Sequence, residues 1–385
     1  MSPAGTDVAP LVAHWMTERN AASTTFFDRE ADRLAGISAR MAERFERGGR
    51  LIALGFGSAV SDAQHIAVEF VHPVAVGKRA LPAIDLSSAV GSLPALVRAS
   101  DIVVGFNPQD SRVAAALQLA TSRGALALEL LAPAPSSDPF VCQEVVEIAY
   151  HVLWETVHVF LERGVVGGGT APASFLYRFL ADRPQAADSV MPEVAASIRS
   201  KADTVARLRT AVAKEGSAAI AAAAAAIHAR VAAGGTVFCL GNGGSATDAM
   251  DLAYDLSSPP ERYAPFPAIS LASDASTLSA LANDLGVEAM FARQLMAHGR
   301  PGDVAVAIST SGSSRNIVAA LAAARAAGLT TVALVGYDGG DVARHQLADH
   351  AIVVDNDQIP RIQEVQASIY HVMVQLLHEF GHPHD

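Results

Sequence analysis

The chain follows one pattern twice, and this restricts its fold more than any other feature. Residues 50–54, RLIAL, run into Gly55-Phe56-Gly57-Ser58-Ala59, and residues 236–240, TVFCL, run into Gly241-Asn242-Gly243-Gly244-Ser245. Each is a short apolar run, a glycine turn and then a helical pattern, preceded by a helix that stops at Gly-Gly. The correspondence continues: 81–88 with 266–273, 100–106 with 302–308, 124–132 with 329–337, and 143–152 with 363–372. The offset grows from 186 residues at Gly55 and Gly241 to 202 at Asp101 and Asp303 and 220 at Gln143 and Gln363. The second copy therefore carries two insertions, one of them including Thr277 to Phe291.

Strands alternating with helical patterns imply parallel β units joined by right-handed crossovers. The expected fold is α/β: two tandem, doubly wound, parallel-sheet domains. A chain of 385 residues also exceeds what one hydrophobic core organises. The expected first domain covers 1–165, a glycine-rich linker 166–186, and the second domain 187–385, entered through two helical segments over 187–233.

Apolar residues make up 51% and charged residues 17%, which excludes a disordered chain. The net charge of −11 argues against nucleic acid as a partner. Cys142 and Cys239 build no disulfide framework and suit a reducing compartment. The N-terminus shows no signal peptide, and the most apolar stretch, 218–233, is too short and too polar to span a bilayer. A soluble cytoplasmic protein with no membrane partner is expected. The tail histidines His378, His382 and His384 read as a solvated end.

The copies differ in which chemical groups they keep. Gly241 to Ser245 present free backbone N–H groups at a helix start, as an anion requires. The turn Ser309-Thr310-Ser311-Gly312-Ser313-Ser314 sets five hydroxyls around one glycine at a strand's carboxyl end, which suits a phosphomonoester. The matching turn in the first copy, Phe106 to Arg112, has lost most hydroxyls and gained Pro108 and Asp110, so the same phosphate binding is not expected there. The first copy instead has His65 and Glu69 four apart on one helix, and Gln143 and His151 eight apart on another. Two nitrogens and two oxygens can make a zinc site or an acid–base cluster. The second copy has Asp251 and Asp255 at the first two positions and keeps Gln363 and His371.

These residues resemble the sugar isomerase (SIS) domain family, and within it the phosphoheptose isomerases. The motifs that carry the resemblance are GNGGSATDA (241–249), ISLASDASTLSALANDLG (269–286), GDVAVAISTSGSSRNIV (302–318) and RIQEVQASIYH (361–371), with GSAVSDAQHIAVEF (57–70) in the first copy. The likeness covers about three quarters of the chain. It implies that Asn242, Gly243, Ser245, Ser309, Thr310, Ser311 and Ser314 hold a sugar phosphate and that Asp274 contacts the sugar. It implies catalysis by Glu69 with a histidine, His371 favoured over His151. Gln363 is assigned to the substrate, and His65, Glu69, Gln143 and His151 to a zinc ion that some members bind; no nucleotide cofactor is implied. The arginine that often follows the glutamate is Pro73 in one copy and Pro259 in the other.

The expected reaction is aldose–ketose isomerisation of a heptose 7-phosphate, sedoheptulose 7-phosphate to glycero-manno-heptose 7-phosphate. It would pass through an enediol at a composite inter-domain site. The alternatives are a non-catalytic sugar-phosphate-sensing or protein-interaction member, and an isomerase of another sugar phosphate. The family forms tetramers with sites at subunit contacts, so a homodimer of this two-domain chain would rebuild a four-domain assembly.

Overall fold

In each repeat a helix ending in Gly-Gly leads into a buried strand. The first repeat runs α1 (Ala9–Glu46), β1 (Leu51–Leu54), α2 (Ala59–Val71), β2 (Ala83–Asp85), α3 (Leu93–Leu96), β3 (Ile102–Gly105), α4 (Ser111–Ser122), β4 (Leu126–Glu129) and α5 (Pro139–Gly164). The second runs α6 (Ala187–Ala232), β5 (Val237–Gly241), α7 (Gly244–Ser257), β6 (Ala268–Ser270), α8 (Ala275–Leu285), α9 (Met290–His298), β7 (Val304–Ser309), α10 (Arg315–Ala326), β8 (Thr330–Gly336), α11 (Gly340–Arg344), β9 (His350–Val354) and α12 (Ile359–Gly381). This computed structural model describes residues 8–73, 78–131, 134–164, 187–260 and 263–381; the expected linker, 166–186, and His382 and His384 lie outside the described residues.

The helix stops are built alike. Gly48 takes φ +76°, and the Gly49 N–H donates to the Arg44 carbonyl at 2.8 Å. Gly234 takes φ +91°, and the Gly235 N–H donates to the Arg230 carbonyl at 2.9 Å. Left-handed backbone followed by a bond five residues back closes a helix and turns the chain toward its strand. A Cβ at Gly49 would meet the Ser100 carbonyl oxygen at 2.0 Å, so a side chain there is excluded.

All strand pairs are parallel, in the orders β2-β1-β3-β4 and β6-β5-β7-β8-β9. Strands β1, β3, β5 and β7 are buried throughout, as parallel strands covered by helices on both faces must be. Two doubly wound α/β sheets are thus present. In each, the chain reverses its direction of strand addition at the first strand, and doubly wound sheets bind ligands at that switch point. The loops concerned follow β1 and β3 in one sheet and β5 and β7 in the other.

Three features depart from the sequence expectation. Strand β9 extends the second sheet; its signal was the short β-branched run Ile352-Val353-Val354. Residues 187–232 form one helix, not two segments: neither Pro192 near its start nor Gly216 within its run of good helix formers breaks it. By length and composition alone this helix, over Val190–Ala232, could cross a membrane, with a window of mean hydropathy 1.2 that is 33% buried. The compact units are also not contiguous: one is Thr24–Pro135 with Val145–Asp203, the other Met1–Ser23, Ser136–Glu144 and Thr204–Asp385. Helices α1, α5 and α6 each contribute one stretch to each unit, where the expected division kept them whole.

One carboxylate in each sheet ties the loop before the third strand to the first strand. Asp101 accepts from the backbone N–H of Arg50 at 3.0 Å and of Arg98 at 2.9 Å. Asp303 accepts from the N–H of Thr236 and of Arg300, both at 2.8 Å. Asp303→Ala removes the acceptor of two part-buried backbone donors and is expected to destabilise the second unit by about 1–3 kcal/mol, read as a lowered urea midpoint.

Candidate active site

The second unit carries the candidate phosphate crevice. The turn after β5 is tight: a Cβ at Gly241 would meet the Ser245 carbonyl oxygen at 2.1 Å, and Gly243 takes φ +56°. These conformations bring the chain straight into α7, with Ser245 buried in its first turn. The turn after β7 is locked to it by a reciprocal amide pair: Asn242 Nδ2 donates to Asn316 Oδ1 at 3.0 Å, and Asn316 Nδ2 to Asn242 Oδ1 at 2.7 Å.

Within the hydroxyl turn, Ser309 Oγ accepts the Gly312 N–H and Ser311 Oγ the Ser313 N–H, each at 3.2 Å. Ser311 and Ser314 place their hydroxyls 3.5 Å apart. Ser314 stands at the N-cap of α10 without capping it through its side chain. Ser309, Ser311 and Ser314 thus lie in one turn that ends at the α10 N-terminus, with Thr310 half-buried among them. An open cleft of ≈ 710 Å³ borders Ser311 and Ser313 and continues past Tyr337, Asp338 and Asp355.

The sequence reading missed the third wall. Gly339 and Gly340, both at positive φ, press the turn after β8 against the hydroxyl turn, and a Cβ at Gly340 would meet the Ser311 carbonyl oxygen at 2.3 Å. The Asp341 N–H takes up Ser313 Oγ at 2.9 Å, which commits that hydroxyl to the scaffold. The signal was the Asp338-Gly339-Gly340 run. Asp274 is exposed at the N-cap of α8, where its carboxylate accepts from the Ser276 N–H and Thr277 Oγ1; these bonds hold its pKa below the usual range.

The first unit keeps the same turn after β1, since a Cβ at Gly55 would meet the Ala59 carbonyl oxygen at 1.9 Å. Beyond β3 the place of the hydroxyl turn is filled by the chain's own charges. Asp110 caps α4 by accepting the Arg112 N–H at 2.8 Å, and Arg112 pairs with its carboxylate while stacking 3.7 Å over the Phe56 ring. The Arg112 bonds hold Asp110 at a pKa of about 2. A fixed carboxylate at a helix start excludes a phosphate from it.

His65, Glu69 and His151 come together in the first unit, all buried, with donor atoms within 4.8 Å of one another. His65 Nε2 lies 3.3 Å from His151 Nε2 and 3.8 Å from Glu69 Oε1, and His65 Nδ1 meets the Tyr150 hydroxyl at 2.9 Å. With Tyr150 on Nδ1, Nε2 can face an electrophile, and two imidazoles with one carboxylate form a donor set that suits zinc. Gln143, half-buried, is assigned to the other unit.

His371 sits in a buried charge cluster of the second unit. Its Nδ1 is 3.0 Å from Glu144 Oε1, and its Nε2 is 3.3 Å from Asp255 Oδ2 and 3.5 Å from Asp251 Oδ2. Glu144 also accepts from Arg19 at 2.8 Å, Arg209 at 3.1 Å and Ser368 at 2.7 Å. Burial opposes charge on the ring, but the three carboxylates outweigh it and raise its pKa well above the usual value. In this setting His371 is a cation and not a ready base. Burial and then Asp251 push Asp255 upward. His378 does not face solvent: it is buried, with its ring stacked 4.0 Å from that of Tyr263.

Residues 202–336 match the SIS domain model. The phosphoheptose isomerase of Rhodospirillum rubrum is 44% identical over 165 residues, 42% of this chain and 85% of the relative. That of Chlorobaculum parvum is 46% identical over 177 residues, 45% of this chain and 83% of the relative. The chain belongs to the phosphoheptose isomerase family of SIS-domain proteins. Its fold also resembles the C-terminal domain of glucosamine-fructose-6-phosphate aminotransferase from Francisella tularensis, with a TM-score of 0.58, 10% identity, and coverage of 98% of this chain and 97% of that one.

The Glu144 cluster in this family member gives a signed pH dependence. Burial raises the Glu144 pKa, but Arg19, His371 and Arg209 together hold it below its ordinary value. A depressed carboxylate contributes stability above its unfolded pKa of about 4.3 and loses it as pH falls through the folded value. Glu144→Gln is expected to destabilise by about 3–5 kcal/mol at neutral pH, since it strands two buried guanidinium groups. Its midpoint should then fall less steeply than wild type below about pH 4, measured by urea unfolding across pH.

Proposed function

We propose that this aldose–ketose isomerase interconverts sedoheptulose 7-phosphate and glycero-manno-heptose 7-phosphate. The observation that carries the reading is the hydroxyl turn Ser309–Ser314 locked against the α7 start. It is a phosphate cradle at a switch point, in the unit matching the SIS domain. The curated relatives named above are phosphoheptose isomerases, which supports a heptose phosphate as the sugar.

In this reading Ser309, Ser311 and Ser314 donate hydroxyl protons to the phosphate oxygens, and the α7 and α10 N-termini add backbone N–H groups. Asn242, Gly243, Ser245 and Thr310 shape the turns, and Asp274 and Gln363 bind the sugar. The His65–Glu69–His151 cluster of the first repeat carries out proton transfer on sugar whose phosphate the second repeat holds, whichever chain of a homodimer supplies it. Glu69 takes the proton from the carbon beside the carbonyl to give an enediol and returns it to the neighbouring carbon. His151 moves the proton between the two oxygens; His371, committed to three carboxylates, is left to structure. His65, Glu69 and His151 would hold a zinc ion, which supplies charge against the developing oxyanion. Each repeat lacks what the other retains, and this supports joint action.

The same reading includes a cytoplasmic homodimer. Helix α8 has no buried residue, and Leu285, Val287 and Met296 are 57%, 60% and 64% exposed. Apolar surface of this kind suits an assembly contact.

Sedoheptulose 7-phosphate incubated with the purified full-length protein is expected to give the aldose by NMR. Turnover of another ketose phosphate instead would keep the reaction class and overturn the heptose. Losing one hydrogen bond to a charged group costs roughly 1.5–3 kcal/mol, so Ser311→Ala should weaken substrate binding about ten-fold or more. Ser111→Ala, in the first repeat, should change it little; equal effects would remove the single working phosphate turn.

Glu69→Gln is expected to lower kcat by about a hundred-fold with little change in phosphate binding, the lower end of acid–base contributions. Unchanged turnover would take the first repeat out of the chemistry.

A further inference from the structure

We propose that Arg315, the first residue of α10, is a clamp for the substrate phosphate, which it reaches by exchanging the carboxylate of Glu288 for phosphate oxygens. The clamp rests on the phosphate cradle of the proposed function and adds charge to it. The cradle otherwise offers hydroxyls, amides and backbone N–H groups. Among residues 241–246 and 309–315, Arg315 alone is charged.

The first repeat displays the same arrangement with its anion built in. Asp110 is the N-cap of α4, and Arg112, in the first turn of that helix, turns back over the helix start. It meets the Asp110 carboxylate through Nε at 3.0 Å and Nη2 at 2.6 Å. This two-pronged bond is the way a guanidinium binds carboxylate or phosphate. An arginine at the start of the helix after the third strand can therefore serve an anion seated on that helix's N-terminus. In the second repeat Ser314 stands at the N-cap without charge, and Arg315 follows it directly. Helical side chains tilt toward the N-terminus, so the Arg315 stem leans toward the hydroxyl turn.

The two arginines differ in what holds them. Arg112 is fixed further by stacking 3.7 Å over the Phe56 ring. The corresponding place in the second repeat is Asn242, which is committed to Asn316. Arg315 Nη1 donates instead to Glu288 Oε1 at 2.8 Å, and the two side chains are 83% and 62% exposed. A pair so open to water contributes little. A carboxylate carries one negative charge, whereas a phosphomonoester carries about 1.5 to 2 at pH 7, with three strong acceptor oxygens. The exchange of partners is therefore favourable on binding and easily reversed on release.

Glu288 lies between α8 and α9, inside the insertion that the first repeat lacks. The second repeat thus has both a clamp and a competitor for it. Arg315 selects phosphorylated over free sugar, and Glu288 moderates the grip so that product leaves.

Isothermal titration of the full-length chain with inorganic phosphate at low salt tests the exchange. Arg315→Gln should weaken phosphate binding about ten-fold. Glu288→Gln should tighten it about two- to five-fold, and should have no effect once Arg315 is Gln. Arg344→Gln removes an equal charge from the rim of the cleft beside Ser311 and should change binding little. These three side chains are exposed, so the variants keep the fold. Unchanged binding in Arg315→Gln, an equal loss in Arg344→Gln, or a Glu288→Gln effect that persists without Arg315 overturns the clamp. Ser311→Ala separates the two readings. If it weakens phosphate binding while Arg315→Gln does not, the cradle stands and the clamp falls. If Ser311→Ala leaves binding unchanged, the cradle has failed and the clamp with it.

Discussion

The second unit is organised around the buried charge of Glu144. A carboxylate removed from water is strongly disfavoured unless its lone pairs are filled by well-placed donors. Here α1 brings Arg19, α6 brings Arg209, and α12 brings Ser368 and His371, while Glu144 itself stands in the second turn of α5. Four helices distant in sequence thus have one position in common. The ion pairs also fix neighbours: Arg19 reaches Gln375, which donates to Asp138, and Arg209 reaches Ser23. This accounts for a unit that includes residues 1–23 and 136–144 although its sheet lies wholly beyond residue 236.

Around similar scaffolds the two repeats have taken different chemical parts. Both keep the glycine turn after their first strand, because a Cβ at Gly55 or Gly241 would strike backbone and no side-chain movement relieves that. The turn after β3 and β7 is under no such constraint. In the second repeat it carries the hydroxyls of Ser309, Ser311 and Ser314 and no charged side chain before Arg315. In the first, Asp110 supplies the anion from within, and Arg112 with Phe56 closes over it. A helix N-terminus satisfied by its own chain has little left to give a phosphate. The His65–Glu69–His151 cluster of that repeat lies on helices α2 and α5, away from the altered turn in sequence, and so could persist when the turn changed.

What the sequence disclosed follows the range of the interactions. The strand–turn–helix units were legible because apolar runs, Gly-Gly stops and hydroxyl-rich turns are local patterns. So was the approach of His65 to Glu69, a matter of one helical turn. The Glu144 node was not legible: its partners stand 125, 65 and 227 residues away, and no local pattern announces that a glutamate within an apolar helix will be charged. The same holds for His378, which looks like a frayed end until Tyr263 stacks on it, and for β9, whose five residues are too short to stand out. The unity of α6 was hidden by Gly216, a weak local breaker overridden by a long run of helix formers.

The paired positions 65 and 251, 69 and 255, and 151 and 371 show how charge limits divergence. Exchanging a histidine for an aspartate at a buried place replaces a neutral ligand with an anion. Two aspartates side by side repel, and the upward push on Asp255 by Asp251 expresses that repulsion. Such an exchange persists in a folded protein only if a cation faces the pair, and the His371 ring does so. The ring in turn keeps its orientation because Glu144 holds the opposite nitrogen, and Glu144 stays ionised because two guanidinium groups hold it. The carboxylates on α7 and the arginines on α1 and α6 therefore depend on one another through a single imidazole. Changing any one of them alone leaves an unmatched charge in the interior, so these residues fit this packing only as a set.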